Sequence, residues 1–411
     1  MLIRPKVLLV TTSRWFAVAR LAMSLANAGC LVEAVCPSDS PVSKISADLR
    51  RYSFRALFPL ASMRAAITAA EPALVIPCDD LARVHLHSLY KREQRRYGSA
   101  GSIATLLERS LGDPAGYPTV AARSSLMALA EAEGIRIPRT AIVRSQGEMH
   151  SWLSVHGLPA ALKTDGTSGG VGVMLVYTLD EAKRAFAALH TPPLLARVAK
   201  RALIDQDLNL VLPCLLRRRP VVNVQSLIRG HDATAAVFCW QGKVLAWIGF
   251  DVLHTWNPKG PASVVKLNEN PEMVSAAEKI ASRLKLSGFY GFDFMIEEET
   301  GKPYLIEMNA RATQTCHLPL GTGRDLPAAL WTALSGEPAQ ETKSVTDKNV
   351  IALFPHEWQR NPASSFLVTA YHDVPWEEPE LVRACIESPP QGGGWSFETL
   401  AQASSKLPWH R

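Results

Sequence analysis

Two acids, an amide and an arginine stand close together in GFYGFDFMIEEETGKPYLIEMNARATQ, residues 288–314. Two alternating segments, about 290–296 and 304–309, flank a turn, EEETGKP, that centres near Thr300. A symmetric hairpin about that centre places Asp293 directly opposite Glu307. On a period of two, Asn309 shares the face of Glu307, while Ile306 and Met308 point the other way. Like charges facing one another destabilise a hairpin unless a cation lies between them. Hard oxygen donors of this kind suit Mg²⁺, which completes six-coordination with phosphate oxygens and water. If the strand continues, Arg311 falls on the same side and can steady a charged transition state. The apolar neighbours on both strands argue against a merely solvated acidic hairpin.

A second stretch supplies the phosphate side of that chemistry. In ALKTDGTSGGVGVMLVYTLDEA, residues 161–182, four glycines fall within seven residues, from Gly166 to Gly172. The loop lacks the GK[ST] ending of a phosphate loop that opens a helix. Thr178, with Glu181 three residues on, marks a capping box, so the next helix starts near residue 179. The glycines therefore join two strands, PAALK and VGVMLVY, and make a flap rather than a helix N-terminus. Backbone N–H groups and the Thr167 and Ser168 hydroxyls can reach phosphate oxygens from such a flap. Lys163, on the strand entering it, adds a positive charge.

The elements that position these groups read as a mixed chain of α/β and α+β type. Lys6–Val10, a helical pattern to Ala28 and Leu31–Cys36 open it as β-α-β, like a doubly wound, Rossmann-like sheet. Its first turn, TTSRWFA, lacks GxGxxG, which argues against a dinucleotide there. A helix at 61–70, a strand at 73–79 and a polar-faced helix to about Arg96 follow. The segment 98–118 reads as loop-rich, and a new unit starts with a helix at 120–133 closed by Gly134. The boundaries drawn are 1–118, 119–195, 196–340 and a C-terminal extension, 341–411, with an irregular, partly helical character.

In this order the residues resemble the ATP-grasp superfamily, over roughly residues 1–335. ARSSLMALAEAEGIRIP resembles the segment with the first nucleotide-contacting basic residue, here Arg123, eleven positions before Gly134. PAALKTDGTSGGVGV resembles the second lysine and phosphate loop, and VVNVQSLIRGHDATAAVF the hinge strand that holds adenine. Asp293, Glu307, Asn309 and Arg311 match the family's D…ExNxR metal and catalytic signature. The resemblance implies a Rossmann-like pre-ATP-grasp domain, a two-lobed ATP-grasp fold and the C-terminal extension. It also implies ATP bound by Arg123, Lys163, Thr167, Ser168, Gly169, Gly170, Gln225, Ser226, Leu227 and Asp232. Mg²⁺, with Mn²⁺ as a substitute, would be held by Asp293, Glu307 and Asn309, with Lys163 and Arg311 catalytic. The implied reaction activates a small-molecule carboxylate as an acyl phosphate for attack by an amine, releasing ADP and phosphate. A kinase-like phosphotransferase and a non-catalytic ATP-binding module are the alternatives. Arginine at 123 keeps the charge of the usual lysine but changes donor geometry. Gln225, in place of a glutamate, can accept from an adenine amino group only through its amide oxygen. Gly291 stands where some amino-acid ligases of the family carry arginine, and EMNARATQTCHLPL is closer to the carbamoyl-phosphate-synthetase-like branch.

Bulk properties agree with an ordinary globular enzyme. The 411 residues are 47% hydrophobic and 20% charged, with a net charge of +6. The basic runs at 91–96 and 217–219 lack interleaved aromatics, so no nucleic-acid partner is expected. Seven scattered cysteines without a CxxC pair point to reduced thiols in the cytoplasm and no zinc site. No signal peptide or membrane span is read, the apolar run near 202–216 being broken by Asp205, Asp207 and Pro213. His254 and His317 lie near acceptor surfaces as structural or orienting groups. Cys316 is discounted as a nucleophile, and the loop at 257–263, with Lys259, is either a cover for the site or plain surface. The extension is read as a lid or an oligomer interface, and a homodimer is one open reading.

Overall fold

The computed structural model describes residues 4–46, 49–98, 101–164, 172–191, 219–258, 260–338 and 341–387. The chain opens with β1 (Lys6–Val10), α1 (Phe16–Asn27), β2 (Leu31–Cys36), β3 (Arg50–Ser53), α2 (Pro59–Ala70), β4 (Leu74–Pro77), α3 (Asp80–Tyr97) and α4 (Ser102–Leu111). The four strands form a parallel sheet in the order β3-β2-β1-β4. Because helices cover both faces, β1 is a continuous apolar run. Val7 and Leu9 pack with α1, while Leu8 and Val10 pack with α2, α3 and α4. Two features depart from the sequence reading. The polar RRYS segment adds β3 at the edge, and the segment read as loop-rich contains α4, an amphipathic helix with Ile103, Ala104, Leu107 and Leu111 buried.

The helix expected at 120–133 is broken at Ala122, whose extended backbone separates α5 (Tyr117–Ala121) from α6 (Arg123–Ala132). Arg123 thereby opens α6. Next come β5 (Thr140–Val143), α7 (Gln146–His156), β6 (Ala160–Thr164), β7 (Val173–Val176), α8 (Leu179–His190) and β8 (Val222–Ser226). Their strands form a small antiparallel sheet, β5-β8-β6-β7. Thr178 and Glu181 make the reciprocal capping box, and α8 begins at Leu179. The hinge strand β8, expected with the second lobe, belongs to this small sheet. Helices α7 and α8 cover one face over Leu162, Val176, Val222 and Val224. The opposite face carries Thr140, Lys163 and Gln225.

The remaining strands are β9 (Gly230–Trp240), β10 (Lys243–Thr255), β11 (Ala262–Leu267), β12 (Gly288–Glu297), β13 (Pro303–Asn309), β14 (Val350–Ala352) and β15 (Tyr371–His372). They form a seven-stranded sheet in the order β13-β12-β9-β10-β11-β14-β15. The extension, read as irregular, thus adds two short strands to the sheet edge. α9 (Pro271–Leu284) covers one face over Val237, Phe292 and Phe294. On the other face, Phe238 and Phe250 share one core with α1, β1 and α10 (Leu326–Ser335). The tail adds α11 (His356–Arg360), α12 (Phe366–Thr369) and α13 (Pro379–Glu387) to that core. Among the described residues no helix is long and apolar enough to cross a membrane, and six cysteines are free thiols.

Phe292 is fully buried beneath α9. Phe292→Ala is expected to cost about 3–5 kcal/mol, read as a lower urea midpoint. Leu57→Ala, at a side chain 72% exposed, should leave the midpoint in place.

Candidate active site

The register of the large sheet brings the acidic groups together. Asp293 pairs with Glu307 across β12 and β13, and with Thr234 across β12 and β9. Asn309 lies opposite Gly291, one step along the same face. Asp293 accepts from Thr234 Oγ1 at 2.9 Å through one oxygen and from Asn309 Nδ2 at 2.8 Å through the other. Burial, and then the neighbouring Glu307 carboxylate, push Asp293 up to about 6. Glu307 accepts from Arg123 Nη2 at 2.6 Å. Among the described residues no three His, Cys, Asp or Glu side chains cluster, so the group is two acids and an amide.

Arg311 joins this group by a different route from the one expected. The strand stops at Asn309, yet the Arg311 side chain turns back, with Nη2 3.4 Å from Asn309 Oδ1. Its Nε donates to Asp80 Oδ2 at 3.1 Å, and its guanidinium lies 5.4 Å from the centre of the Trp15 ring. Both anchors follow strands of the parallel sheet, Trp15 at the start of α1 and Asp80 at the start of α3. Asp79 caps α3, accepting from Ala82 N at 2.7 Å, and also accepts from Thr11 and Thr12 of the β1–α1 turn.

The small sheet supplies the facing wall. Lys163 Nζ donates to Gln225 Oε1, and Gln225 Nε2 donates to Thr140 Oγ1 at 3.0 Å. The amide oxygen expected to meet an adenine amino group accepts from Lys163 instead. Burial, reinforced by the Arg123 charge, lowers Lys163 to about 8. Arg123 spans the two sheets, its Nη1 3.4 Å from Thr164 O while Nη2 holds Glu307. Asp232 stands on β9 beside Met295 of β12 and is exposed. Ser226 Oγ donates to Arg139 O at 3.3 Å, and Leu227 is half-buried just past β8. Thr167, Ser168, Gly169 and Gly170 lie outside the described residues. The strands they join are antiparallel neighbours, with Lys163 opposite Val173 and Thr164 N donating to Gly172 O at 3.0 Å.

The other sequence candidates separate. The His254 ring sits 5.3 Å from Phe366. Cys316 is buried, and that burial raises its thiol. His317 faces Asp373 of the tail. Lys259 and Cys214 lie outside the described residues.

Residues 221–354 match a family model described as ATP-grasp in the biosynthetic pathway with Ter operon. Among solved structures, the chain is similar to N5-carboxyaminoimidazole synthase from Aspergillus clavatus, in complex with ADP and 5-aminoimidazole ribonucleotide. That likeness has 15% identity and a TM-score of 0.59, covering 84% of this chain and 81% of the other. It is also similar to a biotin carboxylase from Campylobacter jejuni, solved as a β-γ-ATP complex, at 13% identity and a TM-score of 0.58, covering 84% and 74%. The chain has the ATP-grasp fold. A third structure is the biotin carboxylase domain dimer of 2-oxoglutarate carboxylase from Hydrogenobacter thermophilus, with MgADP, ADP and bicarbonate. It matches at 14% identity and a TM-score of 0.56, covering 82% and 71%. No curated protein matches the sequence.

Set in the ATP-grasp fold, three neighbours of the group escaped the sequence reading: Thr234, Asp80 and Trp15. Asp80 had a visible signal, since Asp79 and Asp80 follow the end of the parallel strand β4, where open α/β sheets place ligand groups. Thr234 and Trp15 had none, because their roles come from register and from packing between distant segments. Gly291 has a steric explanation. A Cβ there would meet Thr313 Cγ2 at 2.4 Å, so an arginine has no room while Thr313 keeps its place.

The Lys163 environment gives a pH-dependent expectation. Its folded value lies below the ordinary 10.5, so the site loses this charge as pH rises through about 8. Competitive acetylation followed by mass spectrometry should show Lys163 half-reactive near pH 8, well below exposed lysines. A midpoint above 10 would overturn the assigned burial.

Proposed function

We propose that the protein is an ATP- and Mg²⁺-dependent ligase that joins a carboxylate to an amine. The supporting observation is the joint placement of Asp293, Glu307, Asn309 and Arg311 opposite the Lys163 face of the small sheet. The donor set fits a hard divalent cation: two carboxylates and an amide on one face, with Asp293 pushed up by its burial and by the Glu307 carboxylate beside it. Asp293, Glu307 and Asn309 would hold the metal. When bound, it would neutralise charge on the phosphate oxygens.

In this reading, Lys163 from the small sheet and Arg123 from the start of α6 bind the ATP phosphates. Gln225 and the chain through Ser226 and Leu227 border the adenine, and Asp232 meets the ribose. The acceptor carboxylate attacks the γ-phosphorus, giving an acyl phosphate and ADP. Arg311, fixed by Asp80 and Trp15, steadies the charge on the transferred group. The amine then attacks the acyl carbon and phosphate leaves. Little covalent chemistry is asked of the protein, so positioning and charge neutralisation dominate. The parallel sheet, residues 1–118, carries the acceptor side, and a soluble cytoplasmic setting fits these substrates. A phosphotransferase would end at the first step.

ADP release screened against carboxylates with hydroxylamine as acceptor tests the reading. A hydroxamate supports the ligase, and ADP release with a stable phosphoester in its place would overturn it. Asp293→Asn combined with Glu307→Gln should abolish Mg²⁺-dependent ADP release while the circular dichroism spectrum is kept. Full turnover in the purified double mutant would reject these ligands. Arg123 gives a separate, activity-free expectation. Because it pairs with Glu307, nucleotide phosphates competing for Arg123 should free that carboxylate for the metal. Mn²⁺ followed by electron paramagnetic resonance should bind at least about 10-fold tighter with a non-hydrolysable ATP analogue than without, a coupling of about 1.4 kcal/mol. Arg123→Met should shrink that ratio.

A further inference from the structure

Residues 50–70 contain four arginines and no aspartate or glutamate. Within them, the loop between β3 and α2 holds Leu57 and Phe58 out in solvent, 72% and 64% exposed, beside the exposed Arg55. The outward residues of α2 are Ala61, Ala65, Thr68 and Ala69, none of them charged. Helix α3 lies alongside. Phe54 packs on its His85 with ring centroids 6.4 Å apart, and Arg64 Nε of α2 donates to its Glu93 Oε1 at 3.0 Å. The contact at His85 sets the apolar loop next to the turn of α3 that carries Val84, itself 37% exposed.

Beyond Val84, Ser88, Lys91, Arg92, Arg95 and Arg96 follow at the three- and four-residue steps of one helical stripe. The four cations are exposed, and with Ser88 they line one hollow of the surface. Glu93, the one acid between 81 and 97, is buried and turned to Arg64. Like charges at these steps repel, and a face kept only for solubility mixes both signs. The helix dipole accounts for cations in the last turn, Arg95 and Arg96, but not for Lys91, Arg92 or the exposed Phe58. Asp80 opens α3, so the stripe lies about 16–24 Å further along the helix, clear of the Arg311 group. Nucleic acid would call for aromatic rings among the cations, on which bases stack. The core of a specific protein interface is depleted in charge. A bilayer of anionic lipids needs neither condition: its phosphates attract exposed cations, and an apolar pair at the edge enters the headgroup layer.

We propose that the outer face of α2 and α3 docks on an anionic lipid surface. Leu57 and Phe58 enter the headgroup layer, while Arg55, Lys91, Arg92, Arg95 and Arg96 meet the lipid phosphates. The attachment is peripheral, made by charge and one apolar pair, so it weakens as salt screens the charges. It stands apart from the ligase reading and involves none of the residues assigned to ATP or metal.

Sedimentation of the full chain with vesicles tests this. Vesicles of phosphatidylcholine mixed with phosphatidylglycerol should carry the protein down at low salt, and pure phosphatidylcholine should not. Arg92→Gln combined with Arg95→Gln should lower the partitioning about 25-fold, roughly fivefold for each cation. Phe58→Ser should lower it at least about 10-fold. These side chains are exposed, so thermal melts followed by circular dichroism should match the wild type. Should the arginine pair melt early, Lys91→Gln with Arg96→Gln replaces it. Equal binding to both kinds of vesicle, or binding unchanged in either variant, overturns the proposal. Release from the vesicles by inorganic phosphate at matched ionic strength would mark a phosphate subsite and overturn it too. So would tighter binding to duplex DNA than to the vesicles at equal anion concentration.

Discussion

Two carboxylates facing each other across a pair of antiparallel strands are the constraint around which the rest is arranged. Asp293 and Glu307 would weaken the hairpin by their repulsion. Each surrounding element answers part of that cost. Thr234 comes from β9, Asn309 from the end of β13, and Arg123 from the start of α6. The strain of like charge is spread over three segments distant in sequence, and no single one removes it. Burial and the Glu307 charge still keep Asp293 raised within this arrangement.

The same logic explains why the basic residues lie where they do. Lys163 sits on the small sheet beside Gln225, Arg123 opens α6 and reaches across to Thr164, and Arg311 is held by Asp80 at the start of α3. α6, β6 and the turn after β13 each contribute one of these cations. Arginine at 123 suits this bridging position, since its fork reaches a carbonyl on one sheet and a carboxylate on the other at once. A lysine has a single head and would have to choose.

Much of this arrangement was legible from local patterns. The period-two alternation and central turn of 288–314 set the pairing of Asp293 with Glu307, and Thr178 with Glu181 marked the start of α8. What escaped was non-local. β3 is a polar edge strand without an apolar signature, and β14 and β15 are too short to show a period. Ala122 interrupts a helical pattern with a backbone change that side-chain type does not announce. Trp15, Thr234 and the His317–Asp373 pair depend on contacts between segments far apart in sequence, which spacing cannot register. Gln225 was placed correctly on a strand, but its amide direction follows from Lys163 beside it.

The continuous core beneath β1, α1, β10 and α10 carries a mechanical consequence. The parallel sheet and the large sheet share their apolar interior, so they behave as one rigid block. The small sheet keeps a core of its own under α7 and α8. It is tied to the block by its chain connections and by polar bridges such as Arg123. Apolar packing resists sliding, while a few hydrogen bonds can be exchanged at modest cost. Any relative movement of the units should therefore fall to the small sheet, because its own core lets it shift without breaking the shared one.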